Sequence, residues 1–144
     1  MNDSIVFLDA FRGSFSGILR WPQLDEFWQR LIQDDNQDWY IYAVGETPPT
    51  EPANRKQLEH FITGINELLR KEHQEDYCGV VYADDLQHPA FIKIFDPNNL
   101  GVSCGFSEFP PLPGWILSVI QPTDLPSAIP QPGNRKRWWQ KIFG

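Results

Sequence analysis

Cysteine and histidine are too scarce in this sequence to support the usual metal or disulfide frameworks. There are two cysteines, Cys78 and Cys104, and three histidines, and none of them stands in a close pair such as C-x2-C or H-x3-H. Structural zinc sites take about four ligands, mostly from such pairs. The pattern therefore predicts no metal site and no cofactor, and a chain of 144 residues buries enough surface to fold without a disulfide.

Long apolar runs are also missing. No stretch approaches the roughly 20 consecutive apolar residues that span a bilayer. The residues after Met1 lack the basic start and apolar run of a signal peptide. Together with the unpaired cysteines, these absences predict a soluble, reduced, cytoplasmic protein.

Basic residues are few and unevenly placed. Residues 1–134 contain eight Lys and Arg against all nineteen Asp and Glu, a net charge of −11, whereas residues 135–144 carry +4. Nucleic-acid binding depends on Lys and Arg contacts to phosphates. An acidic body repels such a backbone, so nucleic acid is not the expected partner of the domain.

The apolar pattern predicts one α+β domain over residues 1–121, with two helices packed on one face of a mostly antiparallel sheet. Apolar residues recur at helical spacing in residues 22–33 and from about 52 or 53 to 72. Runs rich in β-branched and aromatic residues predict strands. The predicted strands are 39–44, 78–83, 90–95 and 115–120, with a hairpin of residues 5–8 and 15–21 that turns near Gly13.

A long connector between the last two predicted strands is the first candidate site. Residues 97–114 are rich in glycine, proline and asparagine, and a loop of this length inside a compact domain is usually functional or disordered. We expect it to be partly exposed and to contribute to a pocket or contact patch. The loop candidates are Asn98, Asn99, Gly101, Cys104, Gly105 and, at its end, Trp115.

Cys104 gives the alternative function, a small thiol- or metal-dependent enzyme with its site at Ser103, Cys104 and Gly105. Flanking glycine allows close approach of a backbone and exposes N–H groups to an anion. A catalytic thiol also needs a base or positive surroundings. The neighbourhood in sequence is acidic, and no phosphate-loop, dinucleotide or Ser-His-Asp signature is present, so a non-catalytic protein is favoured.

The last residues are interpreted as a docking peptide on a tether. Residues 122–133 hold four prolines and predict an extended linker. Residues 134–144, the basic-aromatic tail, interleave cations with large apolar side chains, and a helix would place the apolar ones on one face. Its predicted binding residues are Arg135, Arg137, Trp138, Trp139, Lys141, Ile142 and Phe143.

A tail this short does not hold a helix alone, so it should order against something. The expected partner is a protein, with an anionic membrane surface as the second choice, and the competing interpretation is a tail that packs back on the chain's own acidic body. The sequence thus predicts an interaction or accessory protein that docks through its tail and through the loop at 97–114.

Overall fold

The computed structural model describes residues 3–73, 78–97 and 112–125. These residues form three helices and one five-stranded antiparallel sheet, which confirms the predicted α+β class. The elements in chain order are α1 (Asp3–Phe11), β1 (Ser16–Ile18), α2 (Trp21–Gln33), β2 (Tyr40–Ala43), α3 (Arg55–Glu72), β3 (Val81–Ala83), β4 (Phe91–Ile94) and β5 (Trp115–Ser118).

The sheet order is β1-β3-β4-β5-β2, and every neighbouring pair is antiparallel. β3 and β4, which follow one another in the chain, form a hairpin. In the register of the central strands, Ile92 lies opposite Leu117 and Lys93 opposite Ile116. Thus β3, β4 and β5 are interior strands, with β4 in the middle, and the two edges are β1 and β2.

One face of the sheet packs against α2 and α3, as predicted. Phe61 and Ile65, in the middle of the α3 stripe, are fully buried. They belong to the larger core cluster together with Ile92 and Leu117 from the sheet. A helix whose apolar residues recur every three or four positions buries one side and leaves the other to solvent.

Local interactions fix the ends of these helices. The Asn54 side chain accepts from the Gln57 N–H at 2.8 Å, and the Gln57 side chain accepts from the Asn54 N–H at 2.9 Å, a capping box that begins α3. Arg70 near the end of α3 pairs with Asp25 of α2 at 2.6 Å and lies over the Trp21 ring. None of the helices among the described residues has the length and apolar character needed to cross a bilayer.

The opposite face of the sheet is covered by α1, and here the predicted strand at residues 5–8 is wrong. Those residues lie inside α1, whose fully buried Phe7 packs on Phe91 and Tyr42 with ring centroids 5.3 and 6.3 Å away. A short apolar run does not distinguish a strand from a helix by its pattern alone. The deciding factor is tertiary, because the apolar sheet residues Phe91 and Ile116 need a cover.

The predicted hairpin at the start of the chain is therefore wrong as well. Gly13 follows the end of α1, where its N–H donates to the Ala10 carbonyl at 3.1 Å. Only Ser16–Ile18 of the predicted strand at 15–21 is extended, and it pairs with β3. The additional helix, α1, thus replaces a predicted strand. The two predicted helices, α2 and α3, are confirmed.

If α1 is an integral cover of the sheet, Phe7→Ala should lower the free energy of unfolding by about 3–5 kcal/mol, the usual cost of truncating a buried Phe. Asp9→Ala, at an exposed position of the same helix, is the matched control and should change it by less than about 0.5 kcal/mol. Denaturant unfolding followed by circular dichroism measures both. Equal, small effects would show that α1 does not stabilise the domain.

Candidate functional site

Most of the predicted binding residues lie outside the described residues. This applies to the whole basic-aromatic tail and to five loop candidates, Asn98, Asn99, Gly101, Cys104 and Gly105. Their roles stay predictions. The sixth loop candidate, Trp115, is described and has a different place from the one expected.

Trp115 belongs to the core and not to a contact patch. Its side chain is 2% exposed and lies in the larger core cluster on the face covered by α2 and α3. The reason is the strand period of two, which places Trp115 on the same side of β5 as Leu117. Gly114 joins the sheet directly before it, donating its N–H to the Ile94 carbonyl at 2.9 Å and accepting from the Val44 N–H at 3.0 Å.

The first residues of the predicted linker pack on the domain. Leu125 is 2% exposed, and it belongs to the smaller core cluster with Phe7 and Tyr42. Its backbone N–H donates to the Tyr42 hydroxyl oxygen at 3.2 Å. Burial raises the pKa of that hydroxyl above its ordinary value of 10.0, so it stays protonated at neutral pH. Leu125 is therefore part of the folded domain.

Cys78 has the properties of a structural thiol. It is fully buried, is not in a disulfide, and burial raises the pKa of the thiol above 9.0. Nucleophilic cysteines need a lowered pKa and access to solvent. Cys78 is therefore not a candidate nucleophile, and a thiol-dependent enzyme would have to use Cys104.

The histidines and carboxylates do not converge. His60 is exposed on α3, His73 packs beside Trp21, and His88 is exposed in the loop between β3 and β4. Over residues 3–73, 78–97 and 112–125, no three His, Cys, Asp or Glu side chains lie close enough together to hold a metal ion. Asp84 bonds to the start of β4, whereas Asp96 follows its end, so the two are not a carboxylate pair.

Lys93 is a cation in the sheet that the sequence pattern did not single out. It is half-buried in the middle of β4, with Nζ 4.2 Å from the Phe11 ring centroid and 3.9 Å from that of Phe15. Burial lowers its pKa below the usual 10.5, while the two ring faces favour its cationic form. A single lysine inside the apolar run of β4 was the available signal. The contact ties the end of α1 to the sheet.

Two aspartates hold the loop between β3 and β4 in one shape. Oδ1 of Asp84 accepts from the N–H groups of Ala90 and Phe91 at 2.9 and 3.1 Å. Oδ1 of Asp85 accepts from those of Gln87 and His88 at 2.8 and 3.2 Å. These two N–H groups lower the pKa of Asp85, because they stabilise the ionised carboxylate. The loop is exposed but preorganised.

Comparisons of the chain with family models, with curated proteins and with solved structures gave no match. Function is therefore argued from the chain's own residues.

The stability that Asp85 gives to the loop between β3 and β4 should depend on pH. The pKa of Asp85 is lower in the folded protein than in the unfolded chain, so its stabilisation is present above the unfolded value of about 3.9 and is lost as pH falls through the folded value. We expect Asp85→Ala to lower the melting temperature at pH 7, with the difference from the natural protein shrinking below about pH 4.

Asp85→Asn is the control for this effect, because it keeps an oxygen acceptor but does not titrate. The melting temperature of Asp85→Asn should differ from that of the natural protein because the charge is lost, and this difference should disappear below about pH 4. A deficit of Asp85→Ala that stays constant from pH 7 to pH 3 would contradict the assigned role of the carboxylate.

Thiol labelling separates the two cysteines and tests the enzyme alternative. Because Cys78 is fully buried, Cys104→Ser should label only after unfolding, so labelling of the native protein reports on Cys104, and slow labelling there is expected of a non-catalytic thiol. For a non-catalytic Cys104, the labelling rate should rise with pH around an ordinary thiol pKa of about 8.5. A labelling pKa below about 7 would support the enzyme instead.

Proposed function

We propose that the chain is a non-catalytic interaction protein that docks a protein partner through its basic-aromatic tail, with the loop at 97–114 as a second contact. The observation that supports this most is the packing of Leu125, which fixes the point from which the proposed tether and tail would extend. In this proposal the residues after Leu125 act as a separate binding element.

The anchor also shortens the tether. The segment between Leu125 and the tail, residues 126–133, contains Pro126, Pro130 and Pro132. At about 3.1 Å per residue for polyproline-like chain, it would hold the tail on the order of 25 Å from the domain surface. This reach is sufficient for a neighbouring subunit and keeps the tail at a high effective concentration near it.

In this proposal the charged and the aromatic residues of the tail have different roles in docking. The body carries −11 and the tail +4, so the tail is attracted to acidic surfaces, and the Arg residues would govern the approach to the partner. Trp138, Trp139 and Phe143 would provide the anchoring, because large aromatic side chains dominate binding hot spots.

Removing residues 134–144 tests the proposal. The shortened chain should keep its melting temperature within about 2 °C, since the tail supplies no core residue in this proposal. It should lose a protein partner that the full chain captures under native conditions, as quantified by mass spectrometry. Vesicles of anionic and of neutral lipid, tested by co-sedimentation, distinguish membrane docking from protein docking.

Three full-length variants serve as controls. Trp138→Ala with Trp139→Ala should abolish capture, whereas Arg135→Gln with Arg137→Gln should mainly slow association and reduce its salt dependence. Leu125→Ala should cost about 2–5 kcal/mol of stability and leave capture intact while the protein is folded. A marked fall in melting temperature on removing the tail, with no binding lost, would show that the tail is part of the fold.

A further inference from the structure

The two edges of the sheet differ in how they are covered. After β2 the chain returns to both ends of that strand, where the Glu46 N–H donates to the Ala43 carbonyl at 3.0 Å and the Ala53 N–H to the Trp39 carbonyl at 2.8 Å. At the other edge, β1 pairs with β3 on one side, and no strand among the described residues pairs with its outer side. Thus β1 is the open edge of the sheet.

The open edge centres on the backbone of Gly17. In the register of β1 with β3, Gly17 lies opposite Tyr82. Two residues along β3, the Asp84 N–H donates to the Phe91 carbonyl of β4 at 3.0 Å. Antiparallel strands alternate between residues that bond to one neighbour and residues that bond to the other, so the backbone of Tyr82 also bonds to β4. Gly17 therefore directs its own N–H and C=O away from β3, toward the open edge.

Apart from being short, this edge has none of the features that prevent sheets from pairing. Exposed edges are normally blocked by lysine, by proline or by other charged side chains. Residues 13–19, with the sequence GSFSGIL, contain no charge and no proline. Directly after β1, Leu19 is 61% exposed, and it is the one large apolar side chain among the described residues that is exposed. An open edge beside an exposed apolar side chain is a surface suited to adding a strand.

The segment around Gly17 is complementary to itself. In an antiparallel pairing of two copies about Gly17, each Gly17 exchanges both of its backbone hydrogen bonds with the Gly17 of the other copy. Phe15 of one copy then lies opposite Leu19 of the other, which pairs two apolar side chains. The nearest charge, Arg20, lies opposite Ser14, so no two like charges meet. The same patch serves both copies, as a two-fold interface requires.

This symmetry favours a second copy over a foreign strand as the occupant. Electrostatic complementarity is a main source of selectivity for a foreign partner, and residues 13–19 carry no charge that could provide it. A second copy fits the edge by symmetry and needs no such selection.

We propose that the chain forms a two-fold homodimer in which the β1 edges of two copies pair antiparallel about Gly17 and join two five-stranded sheets into one. Stable interfaces bury more than about 1,200 Å², and two short strands bury less, so we expect a dissociation constant on the order of 0.1 mM. The inference uses only described residues and does not depend on the proposed docking by the tail.

The primary test is sedimentation equilibrium of the full chain from about 10 to about 500 µM, at low salt and in about 0.5 M NaCl. Each copy carries a net charge of −7, so the two copies repel, and salt that screens this repulsion should strengthen the dimer several-fold. A dimer held by the +4 tail of one copy on the acidic body of the other would weaken instead. That result, or a monomer at the highest concentration in high salt, would overturn the proposal.

Two full-length variants locate the contact. Leu19→Lys should weaken the dimer at least about tenfold, because a lysine at an edge opposes strand pairing. Thr63→Lys makes the same change of net charge at an exposed position of α3 and should leave the dissociation constant within about twofold. Thermal unfolding followed by circular dichroism checks that both variants fold. Equal weakening by the two variants would show that the copies do not meet at β1.

The backbone itself gives a readout that needs no substitution. In ¹H–¹⁵N spectra of the natural chain, the Gly17 N–H should shift and exchange more slowly with deuterium as concentration rises, since it gains a bond in the dimer. The Gly114 N–H, already bonded to the Ile94 carbonyl at 2.9 Å, is the control and should not change. Gly17 is kept because a Cβ there would lie 2.8 Å from the Tyr82 ring. Dimerisation with an unchanged Gly17 N–H would refute the proposed pairing.

Discussion

The central constraint on this structure is that β4 and β5, two of its three interior strands, bury apolar side chains on both faces. In β4, Ile92 faces α2 and α3 while Phe91 faces α1, and in β5 Leu117 and Ile116 divide in the same way. A sheet with one solvent-exposed face needs helices on one side only, but this sheet needs elements packed on both faces. The position of α1, the packing of Leu125 and the aromatic contact of Lys93 all follow from that requirement.

The parts of the fold that were predictable are those written in local periodicity. The apolar stripe of α3, from Leu58 to Leu69, and the four strands predicted after residue 38 needed no tertiary information, and their positions are confirmed to within a few residues. The nature of residues 5–8 was not predictable, because a four-residue apolar run fits either element and distant Phe91 decides between them. Leu125 likewise looked like linker, since nothing adjacent in sequence shows that Tyr42 binds it.

The site followed the same division. The hydrogen bonds of Asp84 and Asp85 are local in sequence. A cleft lined by α2, residue 39 and the β3–β4 loop was not predictable, because these segments are far apart along the chain. Trp39 belongs to the cluster under α2 and α3, and Leu125 to the cluster under α1.

The strand order also constrains how the chain acquires its structure during synthesis. Of the four strand pairings, only β3 with β4 is local, while β2 reaches its single partner, β5, across the whole of α3 and the hairpin. Topologies with such distant pairings fold slowly. Until β5 has left the ribosome, the strand that pairs with β2 is missing, and the backbone of Ile41 and Tyr42 lacks its partner. Because unpaired strand edges promote aggregation, the interval before β5 emerges is the vulnerable one for the nascent chain.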